Sequence, residues 1–145
     1  MKLIVLLLAA VCCSLGFAEY QTKEKRKLVE VLRQLDHVRK TLTLQHNETM
    51  LNSPPHDVEN CCCLPALECF HANLIVHFNG TNKIHKKLNR SLNSSITKSG
   101  VEYCPSGNNT TTCHDCDSHP KVNVQEFFDR LESLIQRALS RPVQG

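Results

Sequence analysis

The chain has 145 residues, with 17 Lys+Arg against 14 Asp+Glu and a formal net charge of +3. That length fits one domain with a core of modest size, and so small a net charge gives no ground for a nucleic-acid-binding protein, leaving any electrostatic role to local patches. Nine cysteines and only two tyrosines in a chain this short point to cross-linking as a source of stability.

Lys2, the uncharged apolar run Leu3 to Leu15 and then Gly16-Phe17-Ala18 read as a secretory signal peptide, residues 1–18, cleaved after Ala18. The run is shorter than the ~20 residues of a membrane span. The folded domain is then expected over residues 19–145, outside the cell.

A first helix is predicted over residues 22–44. Leu28, Val31, Leu32, Leu35, Val38 and Leu42 recur at spacings of three and four and form one apolar stripe. Thr22 can cap it, and its other face is basic: Lys23, Lys25, Arg26, Lys27, Arg33, Arg39 and Lys40. Asn52-Ser53-Pro54-Pro55 stops any helix. A second helix is expected to start near Pro65, which a first turn tolerates, with Leu67, Phe70, Leu74 and Phe78 on one face and Asn79-Gly80 closing it. Thr81 opens a third, shorter helix with Ile84, Leu88 and Leu92 four apart. Residues 97–121 read as a long polar connection. The clearest helix follows: Asn123 and Glu126 stand at N-cap and N3, and Phe127, Phe128, Leu131, Leu134, Ile135, Ala138 and Leu139 build a broad apolar face that Pro142 ends.

No segment alternates with period two, so no strand is predicted. Four helices with long, short and long connections predict an all-α fold, an up-up-down-down four-helix bundle whose long loops are clamped by disulfides.

Seven cysteines lie beyond the leader: Cys61, Cys62, Cys63, Cys69, Cys104, Cys113 and Cys116. In a secreted chain they read first as disulfides. Seven is odd, so one thiol is free, capped or intermolecular. Cys62 and Cys69 on a helix lie ~10 Å apart. Cys113 and Cys116 in an extended loop lie about as far apart. Two bridges between these pairs would clamp the second long connection onto the second helix, and a third from Cys104 to Cys61 or Cys63 is open. The sequons at Asn47, Asn79, Asn89, Asn93, Asn108 and Asn109 agree with secretion and mark a solvated surface.

Zinc ligation by Cys113 and Cys116 with Cys62, Cys69 or His71 would want a second tight C-x-x-C, which is absent. Redox chemistry at the same motif would want a βαβ context. His37, His71, His77 and Asp57 come with no nucleophile motif. No cofactor or metal is therefore expected, and no enzymatic activity.

Cys62-x6-Cys69-Phe70, then Cys113-x2-Cys116, then an amphipathic last helix resembles the interleukin-2/15/21 cytokines. The stretch Cys113-His114-Asp115-Cys116-Asp117-Ser118 with Lys121, Glu126-Phe127, Arg130, Ser133-Leu134 and Gln136 is closer to the interleukin-21 branch than to the others, as are Asp57-Val58-Glu59 and Leu28 to Leu35. Residues 80–112 match poorly. The resemblance implies bridges Cys62–Cys113 and Cys69–Cys116. It implies a monomer that joins an interleukin-21-receptor-like private chain to the common gamma receptor chain. By position it puts Gln136 and Leu139 against the common gamma chain, and Arg26, with Lys23, Lys25, Lys27 and Arg33, against the private chain. Cys61, Cys63 and Cys104 depart from the family pattern. A secreted cysteine-rich inhibitor or antimicrobial protein is the competing reading from outside the family.

Overall fold

The structure, a computed structural model, describes residues 22–78, 82–104 and 112–142. The leader, Asn79-Gly80-Thr81 and the sequons at Asn108 and Asn109 lie outside the described residues. The fold is mainly helical. Helix α1 spans Lys23–Gln45, α2 Cys63–His77, α3 Lys83–Leu92, α4 Ser95–Val101 and α5 Val124–Leu139. Strands β1, Met50–Asn52, and β2, Lys121–Asn123, pair antiparallel with Leu51 opposite Val122.

Side chains cap the starts of four of the five described helices. The Thr22 hydroxyl accepts from the Lys25 N–H at the start of α1, and the Asn123 amide oxygen accepts from the Glu126 N–H at the start of α5. Each satisfies one donor that the first turn would otherwise leave unpaired. Asn82 and Ser94 cap α3 and α4 in the same way. The Glu126 carboxylate does not return to Asn123 but turns outward to Arg130 and His56.

Leu28, Val31, Leu35, Val38 and Leu42 are the buried residues of α1, one stripe along its length. They meet Phe127, Phe128, Leu131, Leu134, Ile135 and Ala138 of α5, Ala66, Leu67, Phe70 and Leu74 of α2, and Leu88 and Leu92 of α3 in a single core. Helix α1 packs on α5, α3 and α4, and α2 packs on the same three helices. Burying each large apolar side chain is worth about 1.5–3 kcal/mol against leaving it in water.

Four features differ from the sequence reading. Residues 97–121 are not wholly a connection. Helix α4 occupies their start, with Thr97 and Val101 buried. Its Gly100 lies so close to α1 that a Cβ there would stand 3.1 Å from Glu24 Cβ and 3.2 Å from Leu28 Cδ1. A strand pair exists where none was predicted, because three-residue strands are too short to show alternation. Ile84 is 42% exposed and not a core residue. The second helix also begins earlier than Pro65, at Cys63, after a 3₁₀ turn at Asn60–Cys62.

The two long connections are joined to each other. Beyond the strand pair, the Ser53 N–H donates to the Pro120 carbonyl at 3.1 Å and Asn52 Nδ2 donates to the His119 carbonyl at 2.7 Å. Arg130 of α5 reaches the Ser53 and Pro54 carbonyls, each at 3.5 Å. Leu51 tucks beneath this ribbon with no exposed surface.

Candidate functional site

Cys61, Cys62 and Cys63 sit where a 3₁₀ turn runs into α2. At three residues per turn, successive side chains fan out about 120° apart, so adjacent sulfurs meet different surroundings. Cys61 pairs with Cys104, Cys62 with Cys113, and Cys69, further along α2, with Cys116, at Cα separations of 4.5, 5.6 and 5.3 Å. Asn73, one turn beyond Cys69 and itself buried, donates to the Cys69 carbonyl at 3.0 Å and to Cys116 Sγ at 3.2 Å. Among the described residues Cys63 is the cysteine left without a disulfide, fully buried on the core side. Its sulfur lies 3.2 Å from Arg141 Nη2.

Arg141 ties three chain ends together. Its Nη1 donates to the Val101 carbonyl at 2.8 Å, its guanidinium stacks on Tyr103 at 4.5 Å, and its carbonyl accepts from Lys25 Nζ at 2.9 Å. Such a guanidinium–aromatic stack adds ~0.5–1 kcal/mol at a part-exposed site.

Along the seam between α1 and α5, Arg39 is the central cation. Its Nη2 lies 3.1 Å from Asp129 Oδ1 and also binds the Glu132 carboxylate. Gln136 follows one turn later, exposed, and donates to Glu132 Oε1 at 3.0 Å. Leu139 is half-buried and packs at the edge of the core. Gln136 and Leu139 therefore share the α1-facing edge of α5.

The five basic residues assigned to one face of α1 separate. Lys23, Arg26 and Arg33 are exposed, whereas Lys25 is spent on the Arg141 carbonyl and Lys27 pairs with Glu30 at 3.4 Å. Arg39, counted on the basic face from sequence, turns instead to the acidic pair on α5. The signal for it was there: Asp129 and Glu132 are three apart on a helix and suit one cation. Asn73 gives no sequence signal, because a single polar residue in an apolar helix carries no spacing of its own. Asn47 and Asn93 are exposed and Asn89 is half-buried within α3; Asn79, Asn108 and Asn109 lie outside the described residues.

Among the described residues, no group of three or more His, Cys, Asp or Glu is placed to hold a metal ion, and no helix is long and apolar enough to cross a membrane. No protein-family model matches the chain.

Three histidines are held below the ordinary value of 6.5: His71 by burial and then Lys98, His85 by burial and then His46, His119 by burial and then His114 and Arg130. His85 is the plainest case, since both ring nitrogens are shielded and unpartnered beside Val38, Leu42, Leu74 and Phe78. A histidine depressed in the folded state takes up its proton first in the unfolded chain. Its contribution is therefore intact above about pH 6.5 and falls as the pH drops below it. The urea midpoint should decline between about pH 7 and about pH 5, and His85→Leu should flatten that decline. An unchanged slope in the variant would clear His85 of any part in it.

Proposed function

We propose that the chain is a secreted short-chain helical cytokine of the interleukin-2/15/21 group, closest to the interleukin-21 branch. It joins a private class I receptor chain to the common gamma chain on lymphoid cells. The observation that carries this reading is the pairing and stapling of the two long connections along one side of the molecule. That arrangement leaves the outer faces of α1 and the α1–α5 seam free for partners. It also supports an up-up-down-down bundle, in which two crossovers must run side by side. So does the packing of α1 and α2 on shared neighbours, α3, α4 and α5, more than on each other. Secretion and glycosylation are part of the proposal; three disulfides support the first.

On this reading two surfaces act. Lys23, Arg26 and Arg33 give α1 an unneutralised positive face that steers an acidic private receptor chain. Gln136 and Leu139, with the half-exposed Val29 of α1, form the face for the common gamma chain. A few central residues of such a face carry most of its affinity.

Gln136→Asp sets a second carboxylate beside Glu132, where the amide now donates. It should weaken binding to the common gamma ectodomain about tenfold or more, a loss of at least ~1.4 kcal/mol, and leave the private chain untouched. Surface plasmon resonance with the two ectodomains separately reads this. Unchanged binding to both would remove Gln136 from the interface. Failure of the wild-type protein to bind either ectodomain would remove the cytokine reading altogether.

A further inference from the structure

Between Glu68 and Glu102 the chain has no acidic residue, yet it carries Lys83, Lys86, Lys87, Arg90 and Lys98. Four of these lie on α3. At about 100° per residue, Lys83, Lys86, Lys87 and Arg90 fall within an arc of about 100°. That arc lies opposite the buried Leu88 and Leu92. All four are exposed, and none takes part in an ion pair among the described residues. From Lys83 to Arg90 the row is ~10 Å long at ~1.5 Å per residue.

The neighbouring surface extends the same charge. Arg33 of α1, exposed and without an ion pair among the described residues, lines the groove between α1 and α3 together with Lys87 and Ile84. The one carboxylate in that groove, Glu30, is already engaged by Lys27 and Gln34.

We infer that the outer face of α3 binds a sulfated glycosaminoglycan, with Lys83, Lys86, Lys87 and Arg90 as its contacts. Three arguments select that partner. Protein interfaces are built around buried aromatic or aliphatic anchors and are depleted in lysine, whereas this arc holds three lysines and no apolar side chain. A short helical stretch this rich in Lys and Arg is the form that polyanion-binding patches take. And a chain with three disulfides works in an oxidising, extracellular setting, where the abundant linear polyanion is a sulfated polysaccharide rather than a nucleic acid. The inference does not depend on the receptor reading. A face of α3 that holds the protein on cell-surface polysaccharide would raise its local concentration whatever it signals to.

The test uses the full-length secreted protein on immobilised heparin. The variant Lys83→Gln, Lys86→Gln, Lys87→Gln, Arg90→Gln keeps helix propensity nearly unchanged. A matched control, Lys23→Gln, Arg26→Gln, Lys40→Gln, Lys121→Gln, removes the same charge elsewhere. The α3 variant should elute at clearly lower NaCl and bind about tenfold or more weakly at physiological salt. Its log–log salt slope should be shallower by roughly two to four. The control should stay near wild type, and desulfated heparin should retain neither. Equal loss in both variants would reduce the effect to net charge and overturn the site. Equal wild-type affinity for duplex DNA would overturn the choice of polysaccharide. Should the α3 variant lose capture of a receptor ectodomain while holding heparin as before, the face is a protein interface and the inference fails. Far-UV circular dichroism on each variant separates loss of binding from loss of fold. The single reversal Lys86→Glu gives a second reading, an intermediate drop in eluting salt.

Discussion

Replacing Cys62, Cys113, Cys69 and Cys116 together by alanine should lower the unfolding free energy by about 5–6 kcal/mol, and each pair alone by about 3 kcal/mol. The bridges span 51 and 47 residues, which taken singly would be worth about 4 kcal/mol each on the chain-entropy account. They do not act singly. Cys62 and Cys69 are seven positions apart and Cys113 and Cys116 three, so with one bridge closed the other closes an effective loop of only about ten residues. The same holds for Cys62–Cys113 beside Cys61–Cys104. A domain of this size has about 5–15 kcal/mol in all, so the four-alanine variant should lose a third or more of its stability, while either two-alanine variant should stay well folded. Urea titrations of the three variants read this directly. If one pair alone costs as much as both, the remaining bridge contributes nothing once its neighbour is gone, and the short-loop account fails.

Phe127→Ala should cost about 3–5 kcal/mol. Phe127 has no exposed surface and stands edge-on to two rings, Phe70 of α2 at 5.2 Å and Phe128 at 5.6 Å. Its removal takes away the transfer energy of a whole ring and leaves a void among neighbours fixed on three helices, which cannot all close on it. Phe127→Leu fills most of the space and should cost roughly 1–2 kcal/mol. Leu44→Ala, at a position 85% exposed on α1, should fall within about 0.5 kcal/mol of wild type. Thermal or urea unfolding of the three would order them. A Phe127→Ala protein within about 1 kcal/mol of wild type would mean the centre of the core lies elsewhere.

Much of this was legible before any coordinates. The stripes of α1 and α5 are long and periodic, so burial simply follows the spacing, and Thr22 and Asn123 mark their starts. Helix α4 was not legible. Ser95, Ser99 and Gly100 are poor helix formers, and the segment is helical because Gly100 lets it lie against Glu24 and Leu28, a tertiary reason that no local pattern carries. The strand pair escaped for the same kind of reason: Leu51 and Val122 pair only once both connections have been brought to one side. Ile84 had helical spacing to Leu88 yet sits at the rim, since α3 presents only a narrow arc inward. At the candidate surfaces, exposure of Gln136 followed from polarity beside an apolar stripe. The separate fates of Lys25, Lys27 and Arg39 depend on which carboxylate or carbonyl another helix brings within reach.

The three bridges also alter what a protease can do to this protein. Taken with the backbone, they make a network in which every peptide link from Cys61 to Cys116 is bypassed by at least one sulfur–sulfur bond. A single nick anywhere in that span, including between Cys104 and Cys113, releases no fragment. The two pieces travel as one species on a non-reducing gel and part only when a reductant is added. Cleavage of an outlying connection is thus separated from destruction of the molecule, whose helical faces stay tethered in place after the chain has been cut.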